Sequence, residues 1–140
     1  MTHAINLQSD YSSKLNNIEI LKDLNDNRIQ QSDVICTCTA SEEALIGLKQ
    51  VKKGVHINAV GSFRETMREL ADDLMLSSDT QVIVDSKESA MKEAAELGEL
   101  IHNDKFSNDI FNEKITIFKS VGIAIEDLAA AIVLYASLKK

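Results

Sequence analysis

Proline is missing altogether, where average usage of about 5% predicts about seven in a chain of 140 residues. Glycine is scarce as well: there are five, and none falls in a Gly-x-Gly pattern. That excludes a glycine-rich turn of the kind that brings bare backbone amides up to a phosphate. Cysteine is limited to Cys36 and Cys38. Their Cys-x-Cys spacing fits neither a zinc knuckle nor a redox Cys-x-x-Cys pair, so we expect two small buried residues. No pair among His3, His56 and His102 has metal-ligand spacing. The longest apolar stretch near the C-terminus, residues 128–138, is interrupted by Tyr135 and Ser137 and is too short to span a bilayer. No basic stretch leads into an apolar segment, so no signal peptide is expected and the cytosol is the expected compartment. Positive charge is in deficit: 15 Lys and Arg stand against 22 Asp and Glu, a net charge of −7. A phosphate backbone is repelled on average, which argues against nucleic acid as a partner.

What is present is ordinary for a globular chain, with 44% hydrophobic and 26% charged residues. The length suits one domain with a real core. Short β-branched runs alternate with helical patterns. Residues 18–21, 33–39, 54–60, 81–84 and 115–118 read as strands followed by turn residues. Between them, apolar positions recur every three to four residues over 2–15, 67–76 and 85–100, and a last helix is expected over 121–138. Ser62-x-x-Glu65 and Thr66-x-x-Glu69 fit a capping box ahead of the second of these, and Asp85-x-x-Glu88 ahead of the third. The last helix is apolar on most sides and is expected to be largely buried. Its acidic Glu126 and Asp127 lie in its first half and Lys139 and Lys140 close it, which suits the helix dipole. The polar stretch 103–112 suits a short helix anchored by Phe106, Ile110 and Phe111.

Strands alternating with helices imply crossover units, hence an α/β fold with a mostly parallel sheet flanked by helices. Ligands bind such sheets outside the carboxyl ends of the strands. Three places qualify: residues 37–41, 60–64 and 119–122. Each carries small or hydroxylated residues that let a ligand approach the backbone.

Four segments carry a family resemblance. The run DVICTCTAS (33–41) resembles a strand that leads to a cofactor. HINAVGSFRETMRELADDL (56–74) is similar to an N-A-V-G motif with its following M-R-E-L. VIVDSKESAMKEAAELGEL and TIFKSVGIAIEDLAAA resemble the closing strand–helix units. In this order and spacing they resemble the C-terminal part of the ornithine cyclodeaminase/mu-crystallin family, over almost all of residues 18–138. The resemblance implies a partial Rossmann-type fold and NAD or NADP as cofactor. It also implies hydride exchange at an amine- or imine-bearing carbon next to a carboxylate, with a small amino or imino acid as substrate. By position it places Thr39 at the dinucleotide, and Ile57, Asn58, Ala59 and Val60 along the nicotinamide. Ser120 falls in the nicotinamide region and Val121 at the substrate.

Two departures limit what carries over. In the cyclodeaminase branch the residue two beyond the N-A-V-G glycine is an aspartate base; here it is Phe63, which cannot take a proton. A lysine of the same loop falls at Met67. The Gly61-Ser62-Phe63-Arg64 sequence is therefore closer to the ketimine reductase-like members than to cyclodeaminase proper. The family's glycine-rich turn, its N-terminal substrate and dimerisation domain, and the basic residues that hold the substrate carboxylate have no counterpart in these residues. We therefore expect a truncated family member, one domain over residues 1–140, inactive alone and without a catalytic residue or metal of its own. Cofactor binding by the chain is doubtful on this ground. The competing expectation is half of a split enzyme, or an interaction module that associates through an open sheet edge at residues 33–39. His56 is expected to be a packed or partly exposed histidine rather than a base. Glu42-Glu43 and Asp72-Asp73 are expected to be solvated, and Arg64 and Arg68 to pair with nearby carboxylates.

Overall fold

The computed structural model describes residues 8–11, 13–15, 17–86, 114–122 and 124–138, with side chains of the last helix described from Asp127 onward. Four short strands make one sheet: β1 (Val34–Thr37), β2 (His56–Ala59), β3 (Thr80–Val84) and β4 (Ile115–Lys119). Their order is β1-β2-β4-β3, and every pair is parallel. The expected α/β architecture is present.

The register puts Ile35, Ile57, Ile117 and Val82 in one row. Because side chains alternate along a strand, this row faces one side of the sheet. Ile46, Val51, Val55, Leu70, Leu74 and Met75 close over it to form the core. Each such residue taken out of water contributes about 2 kcal/mol. That is enough to hold the connecting chain against the sheet although little of it is regular helix.

Among the described residues the helices with defined bounds are α1 (Asn27–Gln31), α2 (Asp72–Met75) and α3 (Ala124–Leu138). A 3₁₀ turn, Leu48–Gln50, lies between the first two strands. The carboxylate of Asp26 accepts the Arg28 amide at 2.9 Å and starts α1, a helix that the apolar spacing does not reveal.

Several expectations fail for identifiable reasons. Residues 18–21 form no strand. The Ile18 carbonyl is taken by the Gln8 side chain at 2.6 Å and Glu19 by Arg28, so side chains stand where a ladder was expected. β1 is consequently an edge strand among the described residues. The helix expected over 67–76 shrinks to α2, because Leu70 is drawn into an isolated parallel bridge with Ile46. Neither capping box forms; the N-cap of α2 is Ala71, without a side-chain bond. Cys36 and Cys38 are exposed rather than buried, because they lie on and just beyond the open edge strand. Helix α3 is present, but every described side chain from Asp127 to Leu138 is exposed. Residues 8–11 of the first expected helix are helical. The helices expected over 85–100 and 103–112 lie almost wholly outside the described residues.

Candidate functional site

The carboxyl ends of β1, β2 and β4 lie side by side in the sheet, as an open parallel sheet requires of a ligand cleft. One carboxylate organises the first two. Glu69 is fully buried. Its Oε1 accepts the Thr39 amide at 2.6 Å and the Thr39 hydroxyl at 2.8 Å. Its Oε2 accepts the Thr37 hydroxyl at 2.8 Å and the Gly61 amide at 2.9 Å. Burial alone pushes this carboxyl's pKa up. The hydrogen bonds from Thr39, Thr37 and Gly61 outweigh burial, and the pKa is held below the ordinary value. Gly61 is glycine for the same reason: a Cβ there overlaps the Thr39 backbone and the Glu69 carboxylate.

A second carboxylate organises the end of β4. Asp85, just past β3, accepts the Ser120 hydroxyl at 2.6 Å, the Val121 amide at 3.1 Å and the Gly122 amide at 3.2 Å, all on Oδ2. Its Oδ1 accepts the Ser86 amide at 2.7 Å. Partial burial opposes the charge, but the Ser120 bond and the three amides hold the pKa below the ordinary aspartate value. Gly122 turns the chain here with φ +78, a conformation that favours glycine. Lys119, fully buried at the end of β4, donates from Nζ to the carbonyls of Ser62 at 2.7 Å and Ala59 at 3.3 Å. It ties β4 to the turn after β2.

The residues singled out by position fall into three groups. Thr39 and Val60 are exposed just beyond β1 and β2, and Phe63 is exposed nearby. Ile57 and Ala59 are fully buried in or against the core, so only their backbone faces the strand end. Asn58 lies on the other face of the sheet, half-buried, with its Oδ1 3.3 Å from the His56 ring. His56 Nδ1 lies 2.8 Å from the Thr116 hydroxyl, the packed role expected of it. Ser120 and Val121 lie just beyond β4, and their hydroxyl and amide are committed to Asp85. Arg68 pairs with Asp72, and the Arg64 guanidinium lies over the Phe63 ring at 5.5 Å. Among the described residues no three His, Cys, Asp or Glu side chains converge as a metal site, and no helix is long and apolar enough to cross a membrane.

The apolar spacing did not single out Glu69, Asp85 or Lys119. Asp85 and Lys119 carry a positional signal, each sitting at the carboxyl end of a β-branched run. Glu69 carries only its place in M-R-E-L, which helical spacing assigns to a cap.

The model of the ornithine cyclodeaminase/mu-crystallin family matches residues 4–140. The chain belongs to that family. Among its relatives, the ketimine reductase mu-crystallin of Rattus norvegicus is 43% identical over 117 residues, 76% of this chain and 36% of the relative. The Delta(1)-pyrroline-2-carboxylate reductase of Bacillus cereus is 37% identical over 125 residues, 76% of this chain and 38% of the relative. In structure, the Thermococcus litoralis Delta(1)-pyrroline-2-carboxylate reductase in complex with NADH and L-proline superposes with a TM-score of 0.75 at 27% identity. That match covers 96% of this chain and 46% of the reductase. An archaeal alanine dehydrogenase dimer with bound NAD shares the fold, with a TM-score of 0.72 at 23% identity. The chain thus spans little more than a third of the sequence relatives it matches.

Val60 and Thr39 are exposed at the ends of β2 and β1. The pyrophosphate of a dinucleotide needs free amides. The amides of Thr39, Gly61, Val121 and Gly122 already donate to carboxylates of the chain itself.

Proposed function

We propose that this chain forms the nicotinamide-side part of an NAD(P)-dependent cyclic imino acid reductase, and that alone it neither holds the dinucleotide nor turns over substrate. The observation that carries this reading is the satisfied state of the strand-end amides, in a sequence without any Gly-x-Gly. A pyrophosphate arriving there meets two carboxylates instead of bare N–H donors, and like charge repels it.

The nicotinamide, when bound, supplies the hydride that reduces the imine carbon. The chain's own residues define the cleft in which that takes place. Thr39, Asn58 and Val60 line the ring, through strand ends that also bring the backbone of Ile57 and Ala59 to it. Ser120 adjoins the nicotinamide region, and Val121 bounds the side where the substrate lies. Glu69 and Asp85 keep those strand ends in place. Phe63, where the cyclodeaminase branch carries its base, leaves no proton acceptor at that position. This favours reduction of an imine over cyclising deamination.

The test follows reduced nicotinamide absorbance with pyrroline-2-carboxylate and the purified chain. No turnover is expected at any cofactor concentration. Turnover by the chain without a second polypeptide contradicts the proposal.

A second reading rests on the open edge. β1 borders an apolar groove of about 270 Å³ lined by Leu24, Ile29, Val34, Ile35, Leu45 and Ile46, among others. Unpaired strand groups beside apolar side chains accept a strand from another chain. On this reading the chain is one subunit of a split enzyme. Copurification of a tagged chain with a fragment carrying a glycine-rich turn, lost in Val34→Lys, supports it. Copurification unaffected by Val34→Lys contradicts it.

A further inference from the structure

The Cys-x-Cys pair takes no part in the core or in the carboxylate contacts that hold the strand ends. Both thiols are free and exposed. Glu69 fixes where they point. It receives the Thr37 hydroxyl on one oxygen and the Thr39 hydroxyl on the other, so these two side chains lie on the same side of the chain. Side chains alternate along an extended strand. Cys36 and Cys38 therefore project together from the opposite side. Their backbone is held as well. The Val60 amide donates to the Thr37 carbonyl at 3.0 Å, and the Thr39 amide donates to Glu69 at 2.6 Å. The Asn58 side-chain amide donates to Cys36 Sγ at 3.7 Å, which gives that sulfur a polar neighbour on β2.

The spacing rules out one use of the pair and suits another. Residues two apart on a strand are about 6.6 Å apart, at about 3.3 Å per residue. A disulfide needs Cβ atoms about 3.8 Å apart. Closing one here would pull Thr37 or Thr39 off Glu69. A metal bridge asks for less. A linear sulfur–metal–sulfur unit with bonds of about 2.3 Å, the zinc–thiolate length, needs sulfurs about 4.6 Å apart. Two thiols on one side reach that separation by side-chain rotation, with the backbone unmoved.

The ligand count selects the ion. Zinc takes four ligands in a closed structural site, and among the described residues no three His, Cys, Asp or Glu side chains converge. His56, on the same face of the neighbouring strand, has Nδ1 at the Thr116 hydroxyl and Nε2 at the Asn58 amide oxygen. Two thiolates alone suit a soft ion that is satisfied by two ligands, and soft thiolates select Cu(I). We infer that Cys36 and Cys38 chelate one Cu(I) ion in linear two-coordination at the end of the edge strand. Each thiol gives up its proton as the ion binds, so two protons leave per ion and no electron is transferred. The site needs neither nucleotide nor imino acid.

Anaerobic titration of the reduced full chain with Cu(I), delivered as its acetonitrile complex against bicinchoninate as a coloured competitor, tests this. One ion per chain is expected, with both cysteines then protected from a thiol reagent. X-ray absorption at the copper edge should show two sulfur neighbours and no nitrogen. Cys36→Ser and Cys38→Ser should each give the ion up to the competitor. Both positions are exposed, so β-sheet circular dichroism should not change in either variant. Zn(II) should wash out on dialysis. Failure of the chain to hold Cu(I) against the competitor overturns the inference, as does retention by either serine variant. One ion per two chains contradicts chelation within a single chain. Nitrogen among the ligands overturns the two-coordinate site, and retention of zinc overturns the choice of ion.

Discussion

Glu69 is the residue on which the cleft depends. It takes a place that helical spacing gives to a cap and uses four hydrogen bonds to hold two strand ends. Glu69→Gln puts an N–H₂ group where one oxygen faced only donors. We expect a loss of about 3 kcal/mol in urea unfolding, since bonds to a buried charge are the strong ones. Gly61→Ala forces a methyl group into the Thr39 backbone and the Glu69 carboxylate. Backbone cannot swing aside as a flexible side chain does. A comparable loss of about 3 kcal/mol is expected in the same measurement. The two carboxylates also set a pH dependence. Glu69 and Asp85 both have folded pKa values below their ordinary ones. The unfolded chain therefore takes up protons first as pH falls. Their stabilisation is complete above the ordinary carboxylate range and is lost as pH falls through their lowered folded values. Thermal denaturation between pH 7 and about pH 3 should show this loss. In Glu69→Gln with Asp85→Asn the slope should flatten; an unchanged slope assigns the acid sensitivity to other groups.

At the scale of elements, the sequence announced the sheet better than the helices. Four of five expected strands form, because short β-branched runs bounded by turn residues leave few other choices. Residues 18–21 are as apolar as the others but lose their ladder to the side chains of Gln8 and Arg28. Spacing cannot foresee such long-range partners. The helix expected at 67–76 gives way for a related reason. Leu70 and Leu74 keep helical spacing, yet Leu70 is held by a bridge to Ile46, a contact across 24 residues that local pattern does not encode. That the carboxyl ends of the strands lie along one edge was legible from topology alone, since every strand pair is parallel. The carboxylates that fill them were not: a buried acid has no local signature apart from its apolar neighbours. The exposure of Cys36 belongs to the edge position of β1 and makes a separate prediction. A small thiol reagent should label Cys36 and Cys38 in the folded chain as fast as in urea. Protection of either in the native state would mean that something covers the edge.

Taken whole, the molecule is a parallel sheet whose carboxyl ends are shaped and charged by the chain itself. Family membership accounts for the shape. The amides of Thr39, Gly61, Val121 and Gly122 already donate to carboxylates of the chain, and the proposed reading follows from that. Isothermal titration of NADH and NADPH into the purified chain reads this directly. No saturable heat is expected up to millimolar nucleotide; micromolar binding of either one would contradict the account.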